Sequence, residues 1–436
     1  MISRALLRDS GLALVFNVAA VALSTLAAVF LARTMPLAEF GAYVFVQAAA
    51  HVVMVVATLG LPLAANRIVP DLTTRGRADA VRGYVVVGLA VVTLVPLAAA
   101  LAVELAAARW MPAAYVGPTT GFVFVAAVMS AAWQRFVLDA LRGAGRPVAA
   151  TFLDGPLQRG LWVLLVVGLW AGGADIDAAT VVLAYAASAV IVTAVGAAML
   201  ARRIALPGPV RVGREDLGHW LETARHMMAT PVFYLVLSEA DALILGLLAS
   251  PEAVGLYNVA RRIAELLKFF YTAANGVSMP RFARSHSEGR PDRLQRAVTA
   301  AAVLSLVPSL VLFAIIAAFG HHLLALFGAR FVDAYPLLLL VSAIKMADPL
   351  LGPVTEVMLM AGLHARTTRV NIVFGAVAIL SNLALIPPFG VHGAALATGL
   401  TFIGWKTTLY LILRRARGPE TCLVVTCGRS LFRAAA

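Results

Sequence analysis

Charged residues are scarce in this sequence. Asp, Glu, Lys and Arg make up 13% of its 436 residues, whereas hydrophobic residues make up 61%. Soluble domains average about 25% charged and about 45–50% apolar residues. Because a water-soluble fold of this size could not bury so much apolar surface, the composition predicts an integral membrane protein.

Cysteine and lysine are also rare, and their rarity excludes several kinds of site. The two cysteines, Cys422 and Cys427, lie close together near the C-terminus, which predicts neither a disulfide framework nor a metal site. None of the three lysines follows a glycine, so no phosphate-binding P-loop can form. The motifs Gly-x-Ser-x-Gly and His-Glu-x-x-His do not occur either. The sequence therefore predicts a protein that is not an enzyme and holds no cofactor.

Long apolar runs dominate what remains. A membrane span needs roughly 20 mostly apolar residues, and about twelve runs meet that criterion. The first run exceeds the roughly 7–15 apolar residues of a signal peptide, so we expect no cleavable leader. Four of the runs hold polar residues and are expected to tilt, kink or extend past the bilayer. The predicted spans are 11–32, 40–66, 83–108, 117–141, 148–171, 178–201, 219–248, 253–280, 297–319, 331–362, 370–387 and 391–413.

The basic residues predict the orientation of these spans. With the N-terminus inside, 24 of the 35 Arg and Lys residues fall in inner loops and tails, 3 in outer loops and 8 within spans. Such a bias is typical of cytoplasmic loops, so both termini are predicted to be cytoplasmic. It also accounts for the net charge of +13 without a nucleic-acid partner. The excess of Arg over Lys is typical of a GC-rich genome and favours a bacterial source. The predicted location is therefore the inner (cytoplasmic) membrane of a bacterium.

The two halves of the sequence resemble each other. Gly-x-Tyr occurs at 41–43 and again at 255–257, and Arg67 and Arg281 follow at the same offset of 214 residues. A six-span unit that repeats in the same orientation has its pseudo-two-fold axis along the membrane normal. The sequence therefore predicts an all-α polytopic membrane protein with two six-helix lobes. The predicted lobes are residues 1–205 and 206–414, and residues 415–436 form a cytoplasmic tail.

Charged residues within spans are the candidate binding residues, because such residues usually face a cavity or a partner. Cations at several depths suit an anionic cargo, and Arg makes bidentate contacts with phosphate. The predicted cationic cavity is lined by Arg135, Arg159, Arg225, Arg261, Lys268, Lys345 and Lys406.

Three of these cations have an acid on their own helix, which leaves a second interpretation open. Pairs with spacing i,i+3 or i,i+4 lie on one helix face and can neutralise each other so that the helix inserts. The pairs are Arg135–Asp139, Arg261–Glu265 and Lys345–Asp348.

Two acids near the outer end of the seventh predicted span, Glu239 and Asp241, are candidates for binding a coupling proton or sodium ion. They could equally cap the turn that begins at Ser250. The pair Asp175 and Asp177 has the spacing of a glycosyltransferase metal motif, but it lies in a very short outer loop without a companion domain. We therefore expect a loop there, and the short loops leave no room for a soluble catalytic domain.

Several short motifs, in order along the chain, resemble the Wzx-type oligosaccharide flippases of bacterial polysaccharide biosynthesis. These flippases belong to the multidrug/oligosaccharidyl-lipid/polysaccharide exporter superfamily. The motifs are FLAR at 30–33, EFGAY at 39–43, LGL at 59–61, DALILG at 241–246, VGLYN at 254–258, IP at 386–387 and GVHGAALAT at 390–398.

The resemblance implies two six-helix lobes around a central cavity. It implies a flippase that moves polyprenyl-diphosphate-linked oligosaccharide from the inner to the outer leaflet by alternating access, for cell-surface polysaccharide biosynthesis. Its partners would be the bilayer, a coupling ion and other polysaccharide-assembly membrane proteins. Two alternatives stay open: a multidrug/ion antiporter of the same superfamily, and a membrane-embedded glycan polymerase or ligase.

Overall fold

The protein is described by a computed structural model that covers residues 4–110, 118–205, 208–416, 418–422 and 425. This part of the chain is helical and contains no strand. The α-helices are α1 (Arg4–Thr34), α2 (Leu37–Ala57), α3 (Leu61–Thr74), α4 (Ala78–Trp110), α5 (Pro118–Gly143), α6 (Pro147–Phe152), α7 (Gln158–Ala171), α8 (Ala178–Arg203), α9 (Arg214–Leu248), α10 (Pro251–Ser287), α11 (Pro291–Ala325), α12 (Tyr335–Lys345), α13 (Ala347–Leu351), α14 (Val354–Met360) and α15 (His364–Arg415). A π-helix (Leu153–Leu157) joins α6 to α7, and a 3-10 helix (Ala329–Ala334) precedes α12.

Ten of the helical segments in the described ranges are long and apolar enough to cross a membrane, by length and composition. The prediction of about twelve spans differs for two reasons. Helix α10 is not among the ten, because charged residues such as Arg261 and Lys268 make it too polar. Helix α15 counts once, although it includes the last two predicted spans, which meet at the non-helical Gly390 (φ 56°, ψ −129°). The all-α polytopic class is confirmed.

The chain forms two compact units, Met1–Leu235 and Val236–Ala436. Their boundary falls within α9, later than the predicted division between residues 205 and 206. The first half of α9 belongs to unit 1 because Trp220 and Ala224 join its buried core. There the indole of Trp220 meets the ring of Tyr84 edge-on at 5.2 Å.

Two predicted spans are broken by glycines in the left-handed region. The span 40–66 ends its first helix before Leu59 and Gly60, which both have positive φ. A Cβ on Gly60 would lie 2.5 Å from the carbonyl oxygen of Ala224, so only glycine fits. In the span 331–362 the break lies at Gly352, whose φ is 71°.

Large apolar side chains point outward along the predicted spans of both units. Leu94 and Leu105 of α4 and Leu164 of α7 are more than half exposed, as are Val311 of α11 and Leu380 of α15. Patches of this kind on a soluble monomer would promote aggregation, whereas on a membrane protein they face lipid. The fold therefore places apolar surface outside and polar groups inside each unit.

Candidate functional site: buried charge networks in each unit

Unit 1 contains a buried network centred on Asp139 of α5. Arg135 donates from Nε to Asp139 Oδ2 at 2.9 Å, which confirms the predicted i,i+4 pair. Arg142 donates to the other oxygen of Asp139 and, through Nη2, to Asp154 Oδ2 at 2.8 Å. Asp139 is only 1% exposed, whereas half of the Arg135 side chain is accessible. The network thus buries its acid and leaves a guanidinium partly exposed.

The π-helix places Asp154 and Arg159 in this network. Pro156 lies inside it and lacks an N–H group, so the regular α-helical hydrogen bond to its carbonyl partner cannot form. Such π-bulges occur often at functional sites. Arg159 Nη1 donates to the carbonyl oxygen of Asp154 at 2.7 Å. Three arginines, at 135, 142 and 159, therefore meet two aspartates, and the network carries one excess positive charge.

Unit 2 contains a second buried acid, Asp241 of α9, which is 3% exposed. Tyr257 of α10 and Thr398 of α15 donate hydroxyl groups to its Oδ2 at 2.6 and 2.7 Å. Asn382 Nδ2 donates to Asp241 Oδ1 at 3.1 Å and to the carbonyl oxygen of Ala378 at 2.9 Å. The amide nitrogen is thereby occupied, and Asn382 Oδ1 is a buried oxygen without a hydrogen-bond partner.

A third network surrounds Lys406 of α15, which is 2% exposed. Its Nζ lies 2.8 Å from Asp348 Oδ1 and donates to the phenol oxygen of Tyr271 at 3.1 Å. Tyr271 in turn donates to Glu356 Oε2 at 3.1 Å, and Asn275 Nδ2 donates to Glu356 Oε1 at 3.1 Å. The network ties α10 and α15 to the two sides of the break between α13 and α14.

The remaining cations of unit 2 are more accessible. Arg261 Nε lies 3.9 Å from Glu265 Oε1, so this predicted pair forms, and Lys268 is exposed one turn further along α10. Lys345 Nζ lies 5.4 Å from the centre of the Phe402 ring, a cation–π distance. The predicted Lys345–Asp348 pair does not form, because α12 ends at Lys345 and Asp348 instead binds Lys406.

Three predicted candidates have different surroundings. Arg225 is exposed on the unit 1 part of α9. Glu239 is half-buried, while Asp241, two residues later, is fully buried. The turn before α10 is capped by Ser250, whose hydroxyl accepts from Ala253 N at 3.2 Å. The alternative interpretation, in which the two acids cap this turn, is therefore not needed.

Sequence reasoning missed the uncharged members of these networks, although a signal existed for some of them. Three of the segments that resemble the flippases converge on one site, since they contribute Asp241, Tyr257 and Thr398. Asn275 and Asn382 lie outside those segments, and no pattern marked them. Arg142 was assigned to a loop, but it lies in the last turn of α5.

One aspartate of the pair in the predicted outer loop has a structural role. Asp177 caps α8, because its carboxylate accepts from Thr180 N at 2.8 Å. Asp175 is exposed. Within the described ranges, no group of three or more His, Cys, Asp and Glu residues is arranged to hold a metal ion.

On the predicted cytoplasmic side of unit 1, an ion pair joins the loop residue before α4 to the first turn of α9. Arg77 Nη1 and Nη2 donate to the two oxygens of Asp216 at 2.9 and 2.8 Å. These hydrogen bonds hold the pKa of Asp216 below its usual value, with a smaller contribution from the hydrogen bond of Gly213 N. The pair fixes the start of α9 to the start of α4.

Together, the all-α fold, the apolar exterior and the buried charges define a multi-pass membrane protein of the transporter type. Solved structures share this fold: a multidrug-resistance MATE-family transporter of the MOP superfamily in an inward-facing conformation superimposes with a TM-score of 0.71 over 91% of this chain and 94% of its own, at 14% identity. A MOP-superfamily transporter from Pyrococcus furiosus gives a TM-score of 0.56 over 94% and 92%, at 15% identity. At these identities the likeness shows the fold alone.

Sequence comparisons then identify the family. The family described as "Polysaccharide biosynthesis protein" matches residues 6–286, and the MatE family matches residues 227–347. The chain belongs to the polysaccharide biosynthesis protein family, a flippase family of the MOP superfamily, which confirms the resemblance seen in the sequence.

Two curated relatives come from Haloferax volcanii. The "Probable flippase AglR" is 29% identical over 280 residues, which cover 61% of this chain and 55% of the relative. The "Probable low-salt glycan biosynthesis flippase Agl15" is 25% identical over 166 residues, which cover 37% and 34%. The matches thus span about half and about a third of the relatives' lengths. The names of both relatives describe flippases, not enzymes.

Proposed function

We propose that this chain is a flippase that moves polyprenyl-diphosphate-linked oligosaccharide from the inner to the outer leaflet by alternating access. The observation that carries the proposal is the set of accessible cations on otherwise apolar helices. Charge at membrane depth is costly and is retained where it serves a cavity, a pathway or a partner. The names of the relatives, a probable flippase and a probable glycan biosynthesis flippase, support a lipid-linked glycan as the cargo.

The cations suit a diphosphate headgroup. Arg135 and Arg159 of unit 1 are at least partly accessible, and Arg135 pairs with the buried Asp139 whereas Arg159 donates to the backbone carbonyl of Asp154. Arg261, Lys268 and Lys345 of unit 2 are also at least partly accessible. Guanidinium groups bind phosphate through two parallel hydrogen bonds, and ammonium groups act as point charges. In this proposal the cations of each unit, with Arg225 in unit 1, are contacts for the diphosphate, while the polyprenyl chain stays in the lipid.

Lys406 supports this role less than the other cations. Its ammonium group is buried and already bound to Asp348 and Tyr271. We therefore assign Lys406 a structural role in unit 2. An acid neutralises it, as the second interpretation of the span charges proposes for other cations, but this acid lies on another helix.

Asp241 is the proposed coupling acid. Burying a carboxylate without a cation is costly unless it is neutralised. In the described part of the chain no Lys, Arg or His nitrogen lies within 4.0 Å of Asp241, and its hydrogen-bond partners are neutral. A proton or a sodium ion would neutralise it, and Asn382 Oδ1 and the two hydroxyl oxygens suit a hard cation. Glu239, the other predicted coupling acid, lies two residues away.

The protein is proposed to lie in the bacterial cytoplasmic membrane with both termini in the cytoplasm, alongside other polysaccharide-assembly proteins. The test is lipid extraction from a strain that lacks the chain. Mass spectrometry identifies the polyprenyl-diphosphate-linked oligosaccharide, and a membrane-impermeant oxidant on spheroplasts reports its leaflet. We expect completed units on the cytoplasmic leaflet. Normal levels, or accumulation on the outer face, would refute the proposal.

Complementation tests the cationic residues. R159A and K345A should each fail to restore export of the polysaccharide. R202A removes a matched, exposed arginine at the inner end of α8 and should restore export fully. Full export in both R159A and K345A would exclude the cationic-cargo mechanism.

A second candidate is the export of cationic drugs, which the MatE match over residues 227–347 favours. Such cargo would need acidic or aromatic binding groups, and accessible acids such as Glu265 and Asp154 lie beside the accessible cations. Ethidium efflux in cells that express the chain tests it. Efflux that depends on the chain, with normal lipid-linked oligosaccharide in the deletion strain, would replace the first proposal by this one.

A further inference from the structure

Glu356 in the network around Lys406 repeats the chemistry of Asp241. Each carboxylate accepts from a tyrosine of α10 and from an asparagine amide nitrogen. In each case the asparagine is buried and its Oδ1 has no hydrogen-bond partner. Two acids of one unit therefore share an arrangement that the other described acids of its spans do not show.

The charges around Glu356 leave it without a direct cationic partner. In the described residues no basic nitrogen lies within 4.0 Å of its carboxylate, and Tyr271 separates it from Lys406. Lys406 is itself paired with Asp348 at 2.8 Å. The other lysines of the helices packed around this network have other surroundings: Lys345 at the end of α12 lies over the Phe402 ring, and Lys268 of α10 is exposed. The arginines Arg281 of α10 and Arg366 and Arg369 of α15 are exposed as well.

Several oxygen atoms belong to the residues of this network or to their neighbours in sequence. The carbonyl oxygen of Gly352 lies 3.3 Å from the phenol oxygen of Tyr271 and is an alternative acceptor for its single proton. Asn275 is 5% exposed, its Nδ2 donates to Glu356 Oε1, and the Oδ1 of the same amide group is buried without a hydrogen-bond partner. Thr355 Oγ1, on the neighbouring residue, is also buried without a partner. Buried oxygens without donors are costly, and a protonated carboxyl group or a bound hard cation can satisfy them.

We infer that Glu356, Tyr271 and Asn275 form a second binding site for a monovalent cation, a proton or Na⁺, in addition to the one proposed at Asp241. The inference deepens the coupling role proposed for Asp241, and it concerns the binding of the cation, not the transport of oligosaccharide.

The spacing of the two sites along α10 fits a pathway. Tyr257 and Tyr271 are 14 residues apart, which is about 21 Å and about four turns of α-helix, so both lie on nearly the same face. In the predicted topology α10 runs from the outer to the inner side. The site at Asp241 then lies nearer the outer surface, and the site at Glu356 lies nearer the cytoplasm.

The test is cation binding by the purified full-length chain in lipid nanodiscs. Equilibrium dialysis with radioactive Na⁺ gives the stoichiometry, and infrared spectroscopy detects the carbonyl band of a protonated carboxylic acid. For Na⁺ we expect two bound ions in the wild type and one in E356Q or D241N. For a proton we expect E356Q to remove one protonated-carboxyl band. E215Q changes an exposed glutamate in the same way and should bind as the wild type does.

A second variant distinguishes loss of the site from a folding defect in E356Q. N275A keeps the carboxylate and removes the amide oxygen, and it should weaken Na⁺ binding at this site about tenfold or shift the carboxyl band. Thermal unfolding confirms that each variant is folded. If folded E356Q matches E215Q in both stoichiometry and infrared spectrum, the second site is overturned. A chain that binds the cations but leaves oligosaccharide in its leaflet would refute the flippase proposal and retain this one.

Discussion

The buried pair of Lys406 and Asp348 permits a quantitative prediction. Their side chains are 3% and 7% exposed, and the charged atoms lie 2.8 Å apart. K406M keeps the length of the side chain and removes the charge, which leaves Asp348 buried without its cation. Breaking a buried pair in this way costs about 3–5 kcal/mol, whereas replacing both partners by apolar groups is often neutral. K406M should therefore lose about 3–5 kcal/mol of stability, and K406M/D348L should recover most of it.

The assay is thermal and denaturant unfolding of the purified chain in one detergent, with export complementation beside it. K268M removes a charge from an exposed lysine and should change stability by less than about 0.5 kcal/mol, as other surface substitutions do. Because we assign Lys406 to structure, the stable double variant should restore much of the export that K406M loses.

Two results would refute this reasoning. If K406M is as stable as K268M, the ammonium does not neutralise Asp348. If K406M/D348L is stable but does not export, Lys406 acts on the cargo, as the sequence suggested, or on the coupling ion, and the assignment to structure is wrong.

Three further predictions follow from local geometry. D177A removes the N-cap of α8 and should cost about 1 kcal/mol in unfolding experiments without changing export, unless the loop has a catalytic role. Because the pKa of Asp216 is lowered by Arg77, the pair's contribution to the free energy of unfolding is complete above the ordinary Asp pKa and is lost as the pH falls through the lowered value. D216N should therefore reduce the loss of stability on acidification, and an unchanged dependence of stability on acidic pH would contradict this prediction. G352A, whose Cβ would lie 2.4 Å from a carbonyl oxygen, should be less stable than G362A, which has a similar φ in open space.

The sequence predicts the fold class well because apolar length and basic loops are local properties. It fails at Gly60 and Gly352, where the hydropathy continues and only the backbone changes direction. These breaks depend on close contacts with residues far along the chain, as the approach of Ala224 to Gly60 illustrates. A hydropathy pattern contains no information about such contacts.

Only the charged residues of the candidate site, and some of their pairs, could be predicted from the sequence. Helical spacing correctly predicts Arg135–Asp139 and Arg261–Glu265, since both partners lie on one continuous helix. The same spacing fails for Lys345 because the helix ends there, and the partner of Asp348 comes from α15. Pairing along a helix is therefore informative only where the helix is unbroken.

The acids of unit 2 differ in what meets them, and this difference bears on function. Asp348 and Glu265 have cationic partners, which suits a role in holding helices together or in presenting a cation. Asp241 and Glu356 instead meet tyrosine and asparagine, which cannot neutralise a carboxylate. A paired acid is neutralised by the protein alone, whereas in the described residues these two have no basic nitrogen within 4.0 Å, and we propose that a bound cation neutralises them. Residues of this kind can respond to an ion gradient, and their partners, rather than their depth in the membrane, distinguish them from structural pairs.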